Sequence, residues 1–195
     1  MRIHYLPAYE YQRQRWKNGL GWTREIARGP SPGDDYEWRL SIAEISQACP
    51  FSAFPGYQRT LVLLDGNGMR LRFADGRETL LEPPHGRIDF SGDQPLDCEL
   101  LDGPTCDFNL IYRPDRLQAE LHHRPLVGSM VFFPSPGGDW FVYLLSGWAQ
   151  VKNGAALPRL SPGDTLQLTA TAASADRVIL DGAGEVLVIR LAPSA

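Results

Sequence analysis

The chain has 195 residues, of which 43% are hydrophobic and 22% charged, proportions typical of a globular protein and unlike those of a disordered chain. Its net charge of −4 comes from scattered charges without a basic run, which argues against nucleic acid or an anionic membrane surface as a partner. No apolar segment approaches the roughly 20 residues of a membrane-spanning helix, and the N-terminus lacks a signal peptide's apolar stretch, so a cytoplasmic protein is expected.

The segment 16–25 reads Trp-Lys-Asn-Gly-Leu-Gly-Trp-Thr-Arg-Glu and precedes the first clear strand. A solvated loop rarely carries two Trp residues, and a core strand rarely carries Lys, Asn and Arg. Apolar faces combined with a few polar groups suit the wall of a small-molecule pocket. The alternative is a surface turn that Trp16 and Trp22 anchor to the core.

The rest of the chain is predicted to be almost entirely β. The 19 Gly and 16 Pro residues mark frequent turns, and long helical periodicity is nearly absent. Short strands between regular turns are typical of a sandwich or a barrel. One short helix is expected around 114–121. The clearest strands, in chain order, are 36–43, 59–64, 69–73, 108–112, 141–145 and 185–191.

Two strands of the first half carry polar side chains at positions where a core strand would be apolar. Alternation places Arg39 and Ser41 on one face of the first strand, and Asp107 and Asn109 on one face of the second. An Asn inside a strand is disfavoured unless its amide finds partners. If these faces turn inward, they and Arg59 form a site whose guanidinium groups suit a small carboxylate. A solvated outer face is the alternative.

Three segments of the first half recur in the second half, in the same order and at an offset of roughly 80 residues. The repeat predicts two similar modules, and the core-like strand 185–191 gives the second module a structural role. The three pairs are 60–66 with 140–147, 80–84 with 159–163, and 100–113 with 179–190.

The order of strands and turns resembles the cupin fold, and the sequence Leu-Ser-Pro-Gly-Asp-Thr-Leu at 160–166 is similar to the turn of the second cupin motif. This resemblance implies an all-β bicupin of two tandem jelly-roll-like barrels that share one compact unit. The N-terminal module, 1–113, would carry the ligand pocket. Residues 114–136 would connect it to a structural C-terminal module, 137–195.

The pattern of histidines predicts no metal and no cofactor. Many cupins bind a metal through a His-x-His pair, because alternate residues of a strand share a face. No two of His4, His85, His122 and His123 have that spacing. The three Cys residues form no Cys-x-x-Cys pair, so buried free thiols are expected.

Catalytic residues are not predicted either. The chain has no Gly-x-Ser-x-Gly elbow and no evident Cys–His pair. His85 near Asp89, with Tyr57 or Tyr112, would imitate the base and acid of metal-free cupin epimerases only if distant residues converge. A turn residue after two prolines is the other interpretation of His85.

Five motifs cover nearly the whole first half of the chain. They are Trp16-Lys17-Asn18-Gly19-x-Gly21-x-Thr23-Arg24-Glu25-Ile26, Trp38-Arg39-x-Ser41-x-Ala43, Pro50-Phe51-Ser52-x-Phe54-Pro55-Gly56-Tyr57-x-Arg59, Phe90-x-Gly92-Asp93 and Asp102-Gly103-Pro104-x-x-Asp107-Phe108-Asn109. Together these motifs resemble the signature of the HutD/Ves family. The second half resembles that family mainly in its cupin-like turns. Leu20 departs from the pattern, since the family often has a third Gly there, and this could narrow or stiffen the loop.

The resemblance implies a non-enzymatic regulator of histidine utilisation, which binds a pathway intermediate such as N-formylglutamate or urocanate. The Ves branch of the family is instead associated with environmental stress. A metal-free cupin enzyme, an isomerase or hydrolase acting on a small acid, is the alternative function. A scaffold that binds another protein through an exposed sheet is a third. Cupins often pair through sheet edges, which allows a homodimer.

Carried over by position, the motifs predict how the ligand is held. Arg59 and Arg24 would pair with a carboxylate, and Trp16 would pack over the ligand. Asn109 and Ser41 would hydrogen-bond its formyl or amide end. Asp107 would orient an Arg, while Phe51, Phe54 and Pro55 would shape the wall. The predicted ligand-binding residues are Trp16, Asn18, Thr23, Arg24, Arg39, Ser41, Arg59 and Asn109.

Overall fold

The protein is described here from a computed structural model covering residues 1–30, 35–153, 157–170 and 177–194. These residues form strands and one short 3-10 helix at Ala8–Glu10, so the all-β prediction is confirmed. Within the same ranges, no helix is long and apolar enough to cross a membrane. The strands are β1 (Arg2–Leu6), β2 (Gln12–Arg15), β3 (Gly21–Gly29), β4 (Trp38–Ile45), β5 (Cys49–Phe51), β6 (Gln58–Asp65), β7 (Met69–Phe73), β8 (Glu78–Leu81), β9 (Arg87–Ser91), β10 (Leu96–Leu100), β11 (Thr105–Tyr112), β12 (Leu117–Phe132), β13 (Asp139–Val151), β14 (Thr165–Thr169) and β15 (Val178–Pro193).

The chain divides into two units whose boundaries differ from the expected ones. The first unit is Gln12–Asp115, and the second combines Met1–Tyr11 with Arg116–Ala195. The N-terminal strand β1 belongs to the second unit because it pairs with β14. Most of the expected connector 114–136 is strand β12, which pairs with β15 along its whole length. The helix expected around 114–121 is therefore wrong.

The first unit consists of two open antiparallel sheets that share a core, so the arrangement is cupin-like without being a closed barrel. The larger sheet has the order β2-β3-β4-β11-β6-β9, and the smaller sheet has the order β5-β10-β7-β8. Apolar side chains of both sheets form one buried cluster, which includes Leu61 and Leu63 of β6 and Leu71 of β7. Most of one face of the larger sheet therefore packs into this core.

Strand pairing decides which polar side chains share that inner face. Strand β11 lies between β4 and β6, and Asn109 stands opposite Ser41 and Leu61. Two residues further along, Ile111 stands opposite Arg39 and Arg59. Directly paired residues of antiparallel strands project to the same side of the sheet. The register therefore places Arg39, Ser41, Arg59 and Asn109 on the same side of the sheet, as the sequence predicted.

The second unit contains one five-stranded sheet in the order β1-β14-β13-β15-β12. Its buried cluster consists of apolar residues such as Leu144, Leu168 and Val186. Asp164, in the predicted cupin-like turn, is buried and accepts hydrogen bonds from the Tyr5 hydroxyl at 2.8 Å and the Ala8 amide at 2.9 Å. This carboxylate ties the N-terminal segment to the sheet, a structural role.

Candidate anion-binding site

Arg59 is the most unusual residue of the first unit, because its guanidinium is buried among aromatic rings. It is only 6% exposed, at the start of β6. Its Cζ lies 5.6 Å from the ring centre of Phe51, and 5.1 Å from the ring centres of Phe54 and Phe90. Such contacts offset part of the cost of removing a cation from water. Burial still lowers the pKa of Arg59 to about 10.

A chain of hydrogen bonds links Arg59 to a carboxylate through an amide. Arg59 Nη2 donates to Asn109 Oδ1 at 2.9 Å, and Asn109 Nδ2 donates to Asp107 Oδ1 at 2.7 Å. Arg59 Nη1 also donates to the Ser52 carbonyl oxygen at 3.3 Å. These bonds explain why a central strand tolerates an Asn. We refer to Arg59, Asn109 and Asp107 as the relay.

Asp107 is the carboxyl group whose charge acts on Arg59. Its side chain is wholly buried, and burial raises the pKa of Asp107 to about 7. The Arg59 charge and the hydrogen bond from Asn109 act in the opposite direction. Burial therefore disfavours the ionised carboxylate that would compensate the charge of Arg59.

Arg39 adds a second guanidinium beside the first. Its Cζ lies 5.3 Å from the ring centre of Phe54 and 5.2 Å from that of Tyr36. Phe54 is thus a contact of both guanidinium groups. Within the described ranges, Nε of Arg39 and Nε of Arg59 are both buried without a hydrogen-bond partner. Two cations that share an aromatic contact, each with an unused Nε donor, suit a planar carboxylate.

Ser41 completes the polar part of the inner face. It is buried and stands opposite Asn109 in the β4–β11 pair. The structure therefore brings together four of the predicted residues, Arg39, Ser41, Arg59 and Asn109, on one side of the larger sheet. Their binding role stays a prediction.

Trp16 and Thr23 lie against the aromatic wall of this site. The Trp16 indole Nε1 donates to Thr23 Oγ1 at 2.8 Å. The Trp16 ring packs edge-on against Phe51, with 6.1 Å between ring centres. Phe51 also contacts the Arg59 guanidinium, so Trp16 supports the wall that covers it.

Asn18 occupies a turn and has a local partner. It is exposed, and its Oδ1 accepts a hydrogen bond from the Leu20 amide at 3.0 Å. This is the bond by which Asn side chains stabilise turns. Leu20, the departure from the family pattern, packs against the core cluster. This hydrogen bond lies within the turn and does not involve the relay.

Arg24 projects from the opposite face of the sheet, so its expected pairing with the carboxylate that Arg59 binds is not supported by the geometry. In the β3–β4 pair it stands opposite Ile42, whereas the inner face carries Thr23 opposite Ala43. Its Nε lies 2.7 Å from Glu44 Oε1. Arg24 therefore belongs to a surface ion pair.

The aromatic contacts of the two guanidinium groups were the main feature that the sequence did not predict. Phe51 and Phe54 were expected to shape a wall, but Tyr36 and Phe90 were given no role. Tyr57 supports Tyr36, since its hydroxyl donates to the Tyr36 carbonyl oxygen at 2.7 Å. The concentration of Phe, Pro and Tyr at 50–57 was the available signal.

His85 fits its interpretation as a turn residue. It adopts a positive φ of 57°, and its Nδ1 lies 3.1 Å from the Leu63 carbonyl oxygen. Asp89, considered above as its partner, instead pairs with Arg87 at 2.8 Å. A His–Asp base at these two positions therefore has no support in the structure.

Cys49 and Cys98 are predicted to be unreactive in the folded protein. They face each other on β5 and β10 and are 4% and 2% exposed. Burial raises the pKa of Cys49 to about 11 and also raises the pKa of Cys98. Because the thiolate is the nucleophile, we expect iodoacetamide to leave both unmodified in native protein at pH 8 and to modify both in urea. Mass spectrometry measures this, and rapid native labelling of either would contradict it.

The comparisons with known proteins identify the family of this chain. The family model HutD matches residues 8–188. A Pseudomonas putida protein, described as an uncharacterized 21.2 kDa protein in the hutC 3′ region, is 46% identical over 121 residues, 62% of this chain and 63% of that relative. Protein Ves of Cronobacter sakazakii is 36% identical over 145 residues, 73% of this chain and 76% of Ves.

Solved structures extend the comparison to the whole chain. The structure of HutD from Pseudomonas fluorescens SBW25 has a TM-score of 0.84, with 33% identity and complete coverage of both chains. A nickel-bound bacterial pirin from Escherichia coli has a TM-score of 0.73 at 10% identity, again with complete coverage, and this likeness shows the fold alone. The family model, the relatives and the shared fold together show that this chain belongs to the HutD family.

Proposed function

We propose that the protein binds a small carboxylate beside Arg59 and Arg39 and acts as a non-enzymatic regulator in histidine utilisation. The observation that carries the proposal is the pair of guanidinium groups on the Phe54 ring, of which Arg59 is linked through Asn109 to the buried carboxyl group of Asp107. Intermediates such as N-formylglutamate and urocanate carry the carboxylate that such a pair recognises.

The family supplies the metabolic context. The Pseudomonas putida relative is described by its place in the hutC 3′ region. The Pseudomonas fluorescens HutD structure is described for a formate condition, and formate is the simplest carboxylate. The place in the hutC 3′ region supports histidine utilisation as the setting of the proposed role, and the formate condition is compatible with a carboxylate ligand.

In this proposal each residue of the site has its own part. Arg59 and Arg39 offer their unused Nε donors to the carboxylate. Asn109 orients Arg59, and its amide nitrogen has a second N–H beyond the one given to Asp107. The buried Ser41 hydroxyl lies on the same face and hydrogen-bonds the formyl or amide end of the ligand.

Thermal unfolding with added N-formylglutamate or urocanate tests the proposal. A ligand that binds only the folded state stabilises it by about 2.7 kcal/mol at 100 times its Kd, so a saturable rise in Tm is expected. Arg39→Gln should remove this rise. Arg24→Gln is the matched control on the opposite face and should retain it. An equal rise in Tm for the Arg39→Gln variant would show that Arg39 does not take part in ligand binding.

The same samples distinguish the other functions. Chromatography of the incubated ligand would reveal a product if the protein were a metal-free cupin enzyme. A scaffold would show no ligand-dependent change in Tm and would co-purify with a partner. Stabilisation without product supports the regulator.

A further inference from the structure

Asp107 is not explained by a merely structural role. It is wholly buried in the central strand of the larger sheet, and its Oδ2 has no hydrogen-bond partner in the part of the chain that the structure describes. A buried carboxylate is normally paired directly with a cation. Here the side-chain amide of Asn109 lies between Asp107 and Arg59. The carboxylate and the guanidinium are therefore linked by hydrogen bonds through a neutral amide rather than in direct contact.

The groups around Asp107 leave Arg59 as the charge that holds it ionised. Arg39, on β4, is a second cation on the same face, but it stands opposite Ile111, four residues along β11 from Asp107. Across the core lie the thiols of Cys49 on β5 and Cys98 on β10, which burial keeps neutral. Cys106, the preceding residue, is likewise a thiol with a raised pKa.

The next strand contributes a pair of charges that offset each other. On β3, Glu25 stands opposite Ser41, and Arg28 Nε lies 3.0 Å from Glu25 Oε1. Neither of them is an Asp107 neighbour in the β11 register. The protonation of Asp107 therefore depends mainly on burial and on how much of the Arg59 charge is available to it.

We propose that Asp107 takes up a proton when a carboxylate binds beside Arg59, so that ligand binding strengthens as the pH falls. The inference rests on the proposed function, since it requires an anion at that guanidinium. An incoming carboxylate takes over the neutralisation of Arg59 and places a second negative charge near Asp107. Like charges at short distance favour protonation of one of them.

Reciprocity turns this local effect into a pH dependence of affinity. If the bound anion favours protonated Asp107, then protonation of Asp107 favours the anion by the same factor. The pKa of Asp107 in the free protein is about 7, which places the effect in the neutral range. Above this pH, each bound ligand must bring in a proton, so affinity falls by up to about tenfold per pH unit.

Isothermal titration calorimetry with N-formylglutamate at pH 6 and pH 8 tests the coupling. The two carboxylates of this probe ionise near pH 4, so the probe itself does not titrate in this range. We expect binding to be roughly tenfold weaker at pH 8 than at pH 6. At pH 8, two buffers with different ionisation enthalpies should report the uptake of nearly one proton for each ligand bound.

Asp107→Asn is the variant that isolates the coupling. It keeps the size of the side chain and removes its titration, so its affinity should be the same at both pH values, without proton uptake. A variant that keeps the wild-type pH dependence would overturn the assignment to Asp107.

Wild-type measurements decide the question if that variant does not fold. The ¹³C carboxyl resonance of Asp107 should titrate at a higher midpoint with N-formylglutamate than without it, and an unmoved midpoint would overturn the proposal. Equal wild-type affinity at both pH values without proton exchange would overturn the coupling and leave carboxylate binding intact. No binding at either pH would overturn both.

Discussion

An Arg59→Ala variant is expected to bind N-formylglutamate about 100-fold more weakly than the wild type, because a bidentate charge-assisted contact is lost. Its free energy of unfolding at pH 8 should fall by about 3–5 kcal/mol, since the truncation leaves the buried Asp107 without its cation. The truncation also opens a cavity among Phe51, Phe54 and Phe90. Calorimetry measures the first effect and urea denaturation the second.

The stability loss of this variant should depend on pH in a definite direction. The pKa of Asp107 is already raised in the folded state, and removing Arg59 raises it further. A raised folded pKa gives stability that is present at low pH and lost as the pH rises through it. The loss should therefore be smaller at pH 6 than at pH 8.

A second substitution separates stability from binding in the same site. Arg59→Ala combined with Asp107→Asn removes the unpaired charge, so it should recover stability at pH 8 without recovering ligand affinity. Arg24→Ala serves as the control for loss of an arginine in a half-buried ion pair and should change stability by less than about 1 kcal/mol. Equal losses at both pH values would contradict the role given to Asp107.

Strict strand alternation made it possible to predict from the sequence which polar side chains share a face, whereas whether that face turns inward stayed open. Once Asn109 was placed on a central strand, its polarity required a partner, and Arg59 at the start of another strand supplied one. Alternation likewise placed Arg39 and Ser41 together. These predictions needed only the two-residue period of a strand, with no knowledge of which strands pair.

Arg24 shows where that reasoning fails. Its segment was interpreted as a loop, in which neighbouring side chains can converge on one ligand. The segment is instead partly strand β3, where Thr23 and Arg24 must face opposite ways. A shift of one residue reverses every side chain of a strand, so the assignment of strand or loop decides the site.

The ring contacts and the unit boundaries depend on pairing between distant residues. Phe51 on β5 and Phe90 on β9 both contact the Arg59 guanidinium, and no local sequence pattern predicts these contacts. Strand β1 joins a sheet whose adjacent strand, β14, begins at Thr165. Local periodicity identifies a strand and its faces, but the partner strand is chosen by the packing of the whole unit.

Two dipeptides of the recurring segments, Ser146-Gly147 and Asp181-Gly182, lie inside continuous strands. In the first unit the equivalent Asp65-Gly66 ends β6, whereas in the second unit β13 runs through Gly147 and β15 runs through Gly182. The glycines there permit close approach of two backbones. Gly147 and Gly184 stand opposite each other in the β13–β15 pair, next to a register shift.

Gly184→Ala is expected to lower the free energy of unfolding by more than about 4 kcal/mol, an exceptional loss for one added methyl group. The residue adopts a φ of 140°, and an added Cβ would lie 2.0 Å from the Ser146 carbonyl oxygen. Backbone atoms of β13 cannot move away without breaking the strand pairing. Urea denaturation, or failure of the variant to accumulate in soluble form, measures the effect.

Gly128→Ala in β12 is the matched control, because it separates backbone strain from collision. Gly128 also has a positive φ, of 78°, but an added Cβ would meet no atom within 4 Å. Its substitution should cost only the conformational strain, about 1–2 kcal/mol. Equal losses in the two variants would mean that backbone strain accounts for both, and that the close approach of β13 and β15 at Gly184 contributes nothing.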